Sequence, residues 1–199
     1  MNHFYDPGLA TFPFRNAWVT KTLVHQYGRN LMFILALVLI TATLLSMLHP
    51  GYRVFRTRCL LVLGTIIVST VTISMLKRLT GVNCAWDLEQ YGGNQPPNNI
   101  TFFLDGSFGN CWPAGHASGP FSLIAFYFGF RDSFPLFAKS SLIVACLLGG
   151  IYGLAQTARG AHYISHTLWT LLFIWSINLL TTRFFQISPT VSTPGVSLD

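Results

Sequence analysis

Three of the six histidines in this chain stand where spacing can bring them together: His116, His162 and His166. His162 and His166 are four residues apart, which places two side chains on one face of a helix. His116 follows Pro113-Ala114-Gly115 at the start of an apolar run. A helix beginning there offers free N–H groups and a partial positive charge, which suit a phosphate. Gly115 removes the side chain where a ligand must approach the backbone. Lys77, Arg78 and Arg159 add full positive charges as candidate phosphate binders. Phosphate esters bring negative charge, so charge stabilisation is the main catalytic demand. One imidazole can attack phosphorus while another protonates the departing oxygen, since both roles need a pKa near neutrality. Acid help of that kind is worth ~10²–10⁴-fold.

The elements that must hold these residues lie in a membrane. Of 199 residues, 51% are hydrophobic and 9% charged, whereas about a quarter of an ordinary soluble chain is charged. A bilayer-crossing helix needs ~20 mostly apolar residues. Five stretches qualify with frayed ends, namely 31–48, 59–76, 113–130, 140–158 and 163–182, and none contains Asp, Glu, Lys or Arg. The expected fold is all-α, a polytopic membrane helix bundle of about five transmembrane helices in one membrane-embedded domain over 1–185. Residues 14–29 mix aromatic and basic side chains, with Val19, Leu23 and Tyr27 four apart. They predict an amphipathic interfacial helix feeding the first span. Asp6, Pro7 and Pro13 precede any apolar run, so no cleavable signal peptide is expected. Segment 186–199 is rich in Ser, Thr and Pro and predicts a disordered tail. No internal repeat is visible, which argues against a transporter.

Five spans decide which loops share a membrane face. The 77–112 loop and the 159–162 turn fall on one side. Loops 49–58 and 131–139, with the chain after 182, fall on the other. One face therefore gathers Lys77, Arg78, Asp87, Glu89, Asp105, His116, Arg159 and His162, with His166 one turn below. Snorkelling at a helix end accounts for any single basic residue. It does not account for basic residues and three histidines converging, and ionisable groups at membrane depth are functional hypotheses.

Lys and Arg divide evenly between the faces. Arg53, Arg56, Arg58, Arg131, Lys139 and Arg183 oppose Arg15, Lys21, Arg29, Lys77, Arg78 and Arg159. Setting aside Lys77, Arg78 and Arg159 as kept for chemistry places the site on the non-cytoplasmic face. Disulfides persist in an oxidising compartment of that kind. Cys84 and Cys111 both lie in the 77–112 loop and are expected to pair, whereas Cys59 and Cys146 lie within spans as packing residues. The net charge of +6 suits anionic lipid headgroups. No basic run or aromatic–basic interleaving points to nucleic acid. The expected partners are a lipid phosphate substrate and membrane lipids, and the sequence leaves the oligomeric state open.

Lys77, Pro113-Ala114-Gly115-His116 and Arg159-Gly160-Ala161-His162-Tyr163-Ile164-Ser165-His166 resemble the three motifs of the type-2 phosphatidic acid phosphatase superfamily. Those motifs read Lys-x6-Arg-Pro, Pro-Ser-Gly-His and Ser-Arg-x5-His-x3-Asp. Their order, their placement at helix ends and the long loop between the first two also fit. The blocks from Lys77 to Leu88 and from His162 to Trp169 are similar to a bacterial subgroup acting on lipid A and other envelope lipid phosphates. The resemblance implies His162 as the nucleophile forming a phospho-histidine and His116 as the general acid. It implies Lys77 and the Gly115 backbone as phosphate binders, with no metal and no other cofactor. It also implies a bacterial inner (plasma) membrane, with the site facing the periplasm.

Five positions, in four places, depart from that pattern. Cys84-Ala85 replaces Arg-Pro, Ala114 replaces Ser, Gln156 stands where the third motif has Arg, and His166 replaces Asp. Arg159 lies three residues after Gln156 and can reach the same phosphate from one turn away. His166 can accept the Nδ1 proton of His162, but without a carboxylate's charge. Two other readings stay open on the sequence. His116, His162 and His166 could be a zinc set completed by Asp87 or Glu89, or the chain could be a lipid-binding membrane protein with little activity.

Overall fold

The computed structural model describes residues 1–97 and 109–185, so Asp105 and the segment 186–199 lie outside the described residues. Six α-helices carry the fold: α1 (Gly28–Leu48), α2 (Arg56–Thr80), α3 (Gly115–Ser122), α4 (Ile124–Phe130), α5 (Pro135–Ala158) and α6 (Ile164–Phe185). No strand is formed among the described residues.

Burial is inverted relative to a soluble bundle. Phe33, Leu37 and Val38 of α1, Ile67 and Val71 of α2, and Leu147 and Leu154 of α5 are exposed, while Thr43, Ser46, Thr65, Ser69, Thr170 and Asn178 are buried between helices. Apolar side chains facing outward and small polar ones facing inward are what a lipid surround selects. Hydroxyls turn back onto their own helix, as Thr43 does to the Leu39 carbonyl at 2.8 Å and Thr170 to that of His166 at 2.9 Å. Thr65 and Thr181 meet across α2 and α6 at 3.1 Å. By length and composition, four helical stretches can cross a membrane: Pro13–Leu48, Pro50–Asp87, Pro135–Ala158 and Ile164–Phe185.

The third expected span is not one helix. It divides into α3 and α4, with a joint at Leu123 where i→i−3 bonds from Leu123 to Pro120 and from Phe126 to Leu123 tighten the chain. Pro120 removes one helical hydrogen bond, and its ring crowds the carbonyl of His116. The pair is sheltered by its neighbours: Ala117, Phe121, Ile124 and Phe128 form the core with Ile73 of α2, Ala145 of α5 and Ile174 of α6.

The N-terminal segment also differs from expectation. Val19–Tyr27 is π-helical rather than α-helical and continues directly into α1. Trp18, Val19, Leu23 and Tyr27 are exposed on it, as the amphipathic pattern predicts. The opposite side packs against α5, where the Tyr152 ring fills the space a Cβ on Gly28 would need. Nothing after Trp18 breaks the helical path, so the helix of α1 extends backward.

Candidate active site

α2 ends at Gly81, whose φ of 60° is a left-handed stop. That places Lys77 in the last turn, one face of which meets the start of α3. A Cβ on Gly115 would lie 3.0 Å from Cδ and 3.3 Å from Nζ of Lys77. The ammonium therefore lies over the N-terminus of α3, where it adds to the partial positive charge of the free N–H groups. Arg78, the next residue, is exposed and lines a groove on the outside of α2 with Thr70, Val71, Ser74 and Met75.

The turn from α5 to α6 carries the histidines. Gly160 adopts φ 80°, its N–H donates to the Thr157 carbonyl, and the N–H groups of Ala161 and His162 both donate to Gln156. The space beside Gly160 is filled by the ring of Phe12, and its carbonyl accepts from the Trp86 N–H at 2.8 Å. α6 begins at Ile164, so His162 precedes the helix while His166 is inside its first turn. The rings stand with centroids 5.9 Å apart. The Nδ1–H of His166 donates to the Cys111 carbonyl at 3.0 Å. Nδ1 of His162 is buried without a partner among the described residues. The expected His162–His166 hydrogen bond is thus not formed, because only one of the two residues is on the helix that the four-residue spacing presumes.

His116 opens α3, with its ring centroid 6.3 Å from that of His162, and its Nδ1 is likewise buried without a partner among the described residues. Two orphaned imidazole nitrogens call for a ligand or proton exchange, because buried polar atoms are ordinarily paired. Burial first, then Lys77, then His166 and His116, lower the pKa of His162 from 6.5 to about 3, so the ring is neutral. No group of three His, Cys, Asp or Glu is arranged to hold a metal among the described residues.

Arg159 is buried with no carboxylate partner among the described residues. Its Nη1 donates to Gln156 Oε1 at 3.3 Å and its Nε to the Arg15 carbonyl at 3.1 Å. The three-residue spacing does bring Arg159 and Gln156 together. The guanidinium groups of Arg15 and Arg159 lie 4.6 and 5.9 Å from the Trp86 ring centroid. Burial, then Arg15, weaken the hold of Arg159 on its proton. Cys84 and Cys111 form a disulfide with Cα atoms 5.1 Å apart, which ties the segment after α2 to the segment before α3.

No protein-family model, curated protein or solved structure matches this chain.

Sequence reasoning missed His25. Its ring centroid is 4.3 Å from that of His116, and Gln156 Nε2 lies 2.8 Å from its Nδ1. Topology alone could have flagged it, since the chain before the first span shares a face with the 77–112 loop. Chemically, the Lys77 ammonium and the start of α3 can attract an anion, and the site can offer one neutral imidazole with a second alongside.

Proposed function

We propose that the protein is a metal-independent membrane lipid phosphatase or phosphotransferase working through a phospho-histidine. The observation that carries this reading is the Lys77 ammonium lying over Gly115 at the start of α3, next to His116 and His162, whose ring centroids are 6.3 Å apart. Neutral His162 attacks phosphorus with a ring nitrogen lone pair. The bond from phosphorus to the lipid oxygen breaks, and His116 delivers a proton to that oxygen. The anionic substrate beside His116 favours its protonated form before this step. A water molecule or a second lipid hydroxyl then attacks the phosphoryl group, His116 takes back the proton, and His162 is released. Lys77 and Arg159 hold the oxygens on which charge develops.

The broken pair α3–α4, sheltered inside the bundle, serves as the fifth crossing. The Cys84–Cys111 bridge supports an oxidising compartment on the site's face, which favours a bacterial inner membrane with the site toward the periplasm. The substrate class is a lipid phosphate or diphosphate of the lipid A, undecaprenyl diphosphate or phosphatidate type. The test is phosphate release from a panel of these lipids in detergent, with His162→Ala and His116→Ala alongside wild type. Both variants should be inactive and His166→Ala slow, and activity should survive EDTA. Full activity in His162→Ala overturns the mechanism, and loss on chelation restored by zinc replaces it with a metal reaction.

A further inference from the structure

Resting on that reading of the site, we infer that His25 is a positioning residue for His116, held as the Nε2–H tautomer by Gln156 and Arg159. The chain of donors permits one assignment only. Arginine donates and never accepts, so the Gln156 atom 3.3 Å from Arg159 Nη1 is its carbonyl oxygen. The other end of the same amide is then an NH₂ group, and it faces His25 Nδ1 at 2.8 Å. An amide NH₂ only donates, so Nδ1 of His25 carries a lone pair and the ring proton sits on Nε2. Protonating Nδ1 would set two donors against each other at that distance. Rotating the amide to relieve them would turn its NH₂ toward the Arg159 guanidinium.

The lock is built from buried parts. Gln156 is 3% exposed and Arg159 8%. The Gln156 backbone carbonyl also anchors the N–H groups of Ala161 and His162, so the residue that fixes His25 fixes the turn carrying the nucleophile. On the other side, the His25 ring packs on His116 at 4.3 Å with 39° between planes. His116 makes no hydrogen bond through Nδ1 among the described residues, so a flat neighbouring ring restrains it where no partner does. His25 rides on the π-helical stretch Val19–Tyr27.

His25 thus holds the acid's ring in line with the departing oxygen without exchanging a proton itself. Misplacing a reacting group by about 1 Å costs on the order of 100-fold in rate. The loss should therefore fall on kcat, because the phosphate binders are untouched.

The experiment uses the full chain in nanodiscs with ¹⁵N-labelled histidine. The imidazole signal absent from His25→Phe should show a protonated Nε2 and a bare Nδ1 at pH 7, and Gln156→Leu should convert it to a mixture of tautomers. The His116 signal should move in His25→Ala more than in His25→Phe. With the best lipid phosphate, His25→Ala should lose roughly 10- to 100-fold in kcat with KM within about threefold. His25→Phe should recover part of that loss, because it keeps a ring against His116. A His25 found as Nδ1–H or imidazolium, an unmoved His116 signal, or an unchanged kcat in His25→Ala overturns the inference. Should wild type release phosphate from no lipid, the proposed function fails by itself, while the two histidine signals still decide the placement of His25.

Discussion

Nδ1–H of His166 donates to the carbonyl of Cys111, which is itself one half of the Cys84–Cys111 bridge. The disulfide is therefore one hydrogen bond away from a histidine of the site. Cys111 N–H also donates to the Val82 carbonyl, so the bridged segment is tied back to the end of α2. This loop has a direct mechanical connection to the site.

Removing the bridge should cost both stability and rate. Cys84→Ser with Cys111→Ser loses the constraint on a loop of sequence separation 27, worth ~3–4 kcal/mol in the chain-entropy account. A lower unfolding midpoint in detergent should accompany slower turnover, because the acceptor of His166 is no longer held. Thiol blocking followed by a non-reducing gel checks the bridge in wild type. Free thiols at both positions would refute it.

Gly115→Ala should impair turnover more than folding. The new Cβ would sit 3.0 Å from Lys77 Cδ and 3.3 Å from Nζ. The far end of that flexible side chain can swing away, which spares the helix but removes the ammonium from the start of α3. The expected result is a raised KM and lowered kcat with an unchanged thermal midpoint. Lys77→Met should reproduce the kinetic loss. If Gly115→Ala is fully active, the ammonium is not needed there.

Arg159→Gln should cost about 10- to 100-fold in kcat/KM, the range for losing a charge-assisted hydrogen bond of ~1.5–3 kcal/mol. It also frees the Gln156 amide to turn, so the tautomer signal of His25 should change together with the rate. Arg15→Ala removes only the outer guanidinium over Trp86, and its effect should be smaller. Equal losses in the two variants would mean that the anion binds further out than the histidines.

The pH profile should lack the usual histidine limb for the nucleophile. An imidazole of ordinary pKa near 6.5 would lose about 30-fold of its neutral form by pH 5. His162, lowered to about 3, stays neutral through that range. In kcat/KM, no decline assignable to His162 should appear between pH 7 and 5. Stability carries the opposite signature. The unfolded chain takes up a proton at this residue below about 6.5 while the folded chain does not, so the contribution of His162 to stability falls as pH drops from 6.5 toward 3 and rises with pH across that window. Thermal midpoints of wild type and His162→Phe across this range should diverge accordingly; parallel curves would contradict a neutral buried ring.

Local pattern determined a good deal by itself. Uncharged apolar runs must form helices in a membrane, because no water is present to satisfy the backbone. The runs that became α1, α2, α5 and α6 were legible for that reason, and so was the gathering of Lys77, His116, Arg159 and His162 at helix ends on one face. Cys84 and Cys111 could be paired from topology alone. What spacing could not give was the relation of parts distant in sequence. The four-residue interval of His162 and His166 promised a shared face, but packing of the 160–163 turn against Phe12 and Trp86 starts α6 two residues later. Pro120 was visible, yet only the sheltering by α2, α5 and α6 shows why a broken helix is tolerated there. His25 and Arg15 looked like residues of an interfacial helix because periodicity reports only that one face is apolar. Which protein surface the other face meets is decided by tertiary contact, and here that surface is α5, with Gln156 and Arg159 waiting on it.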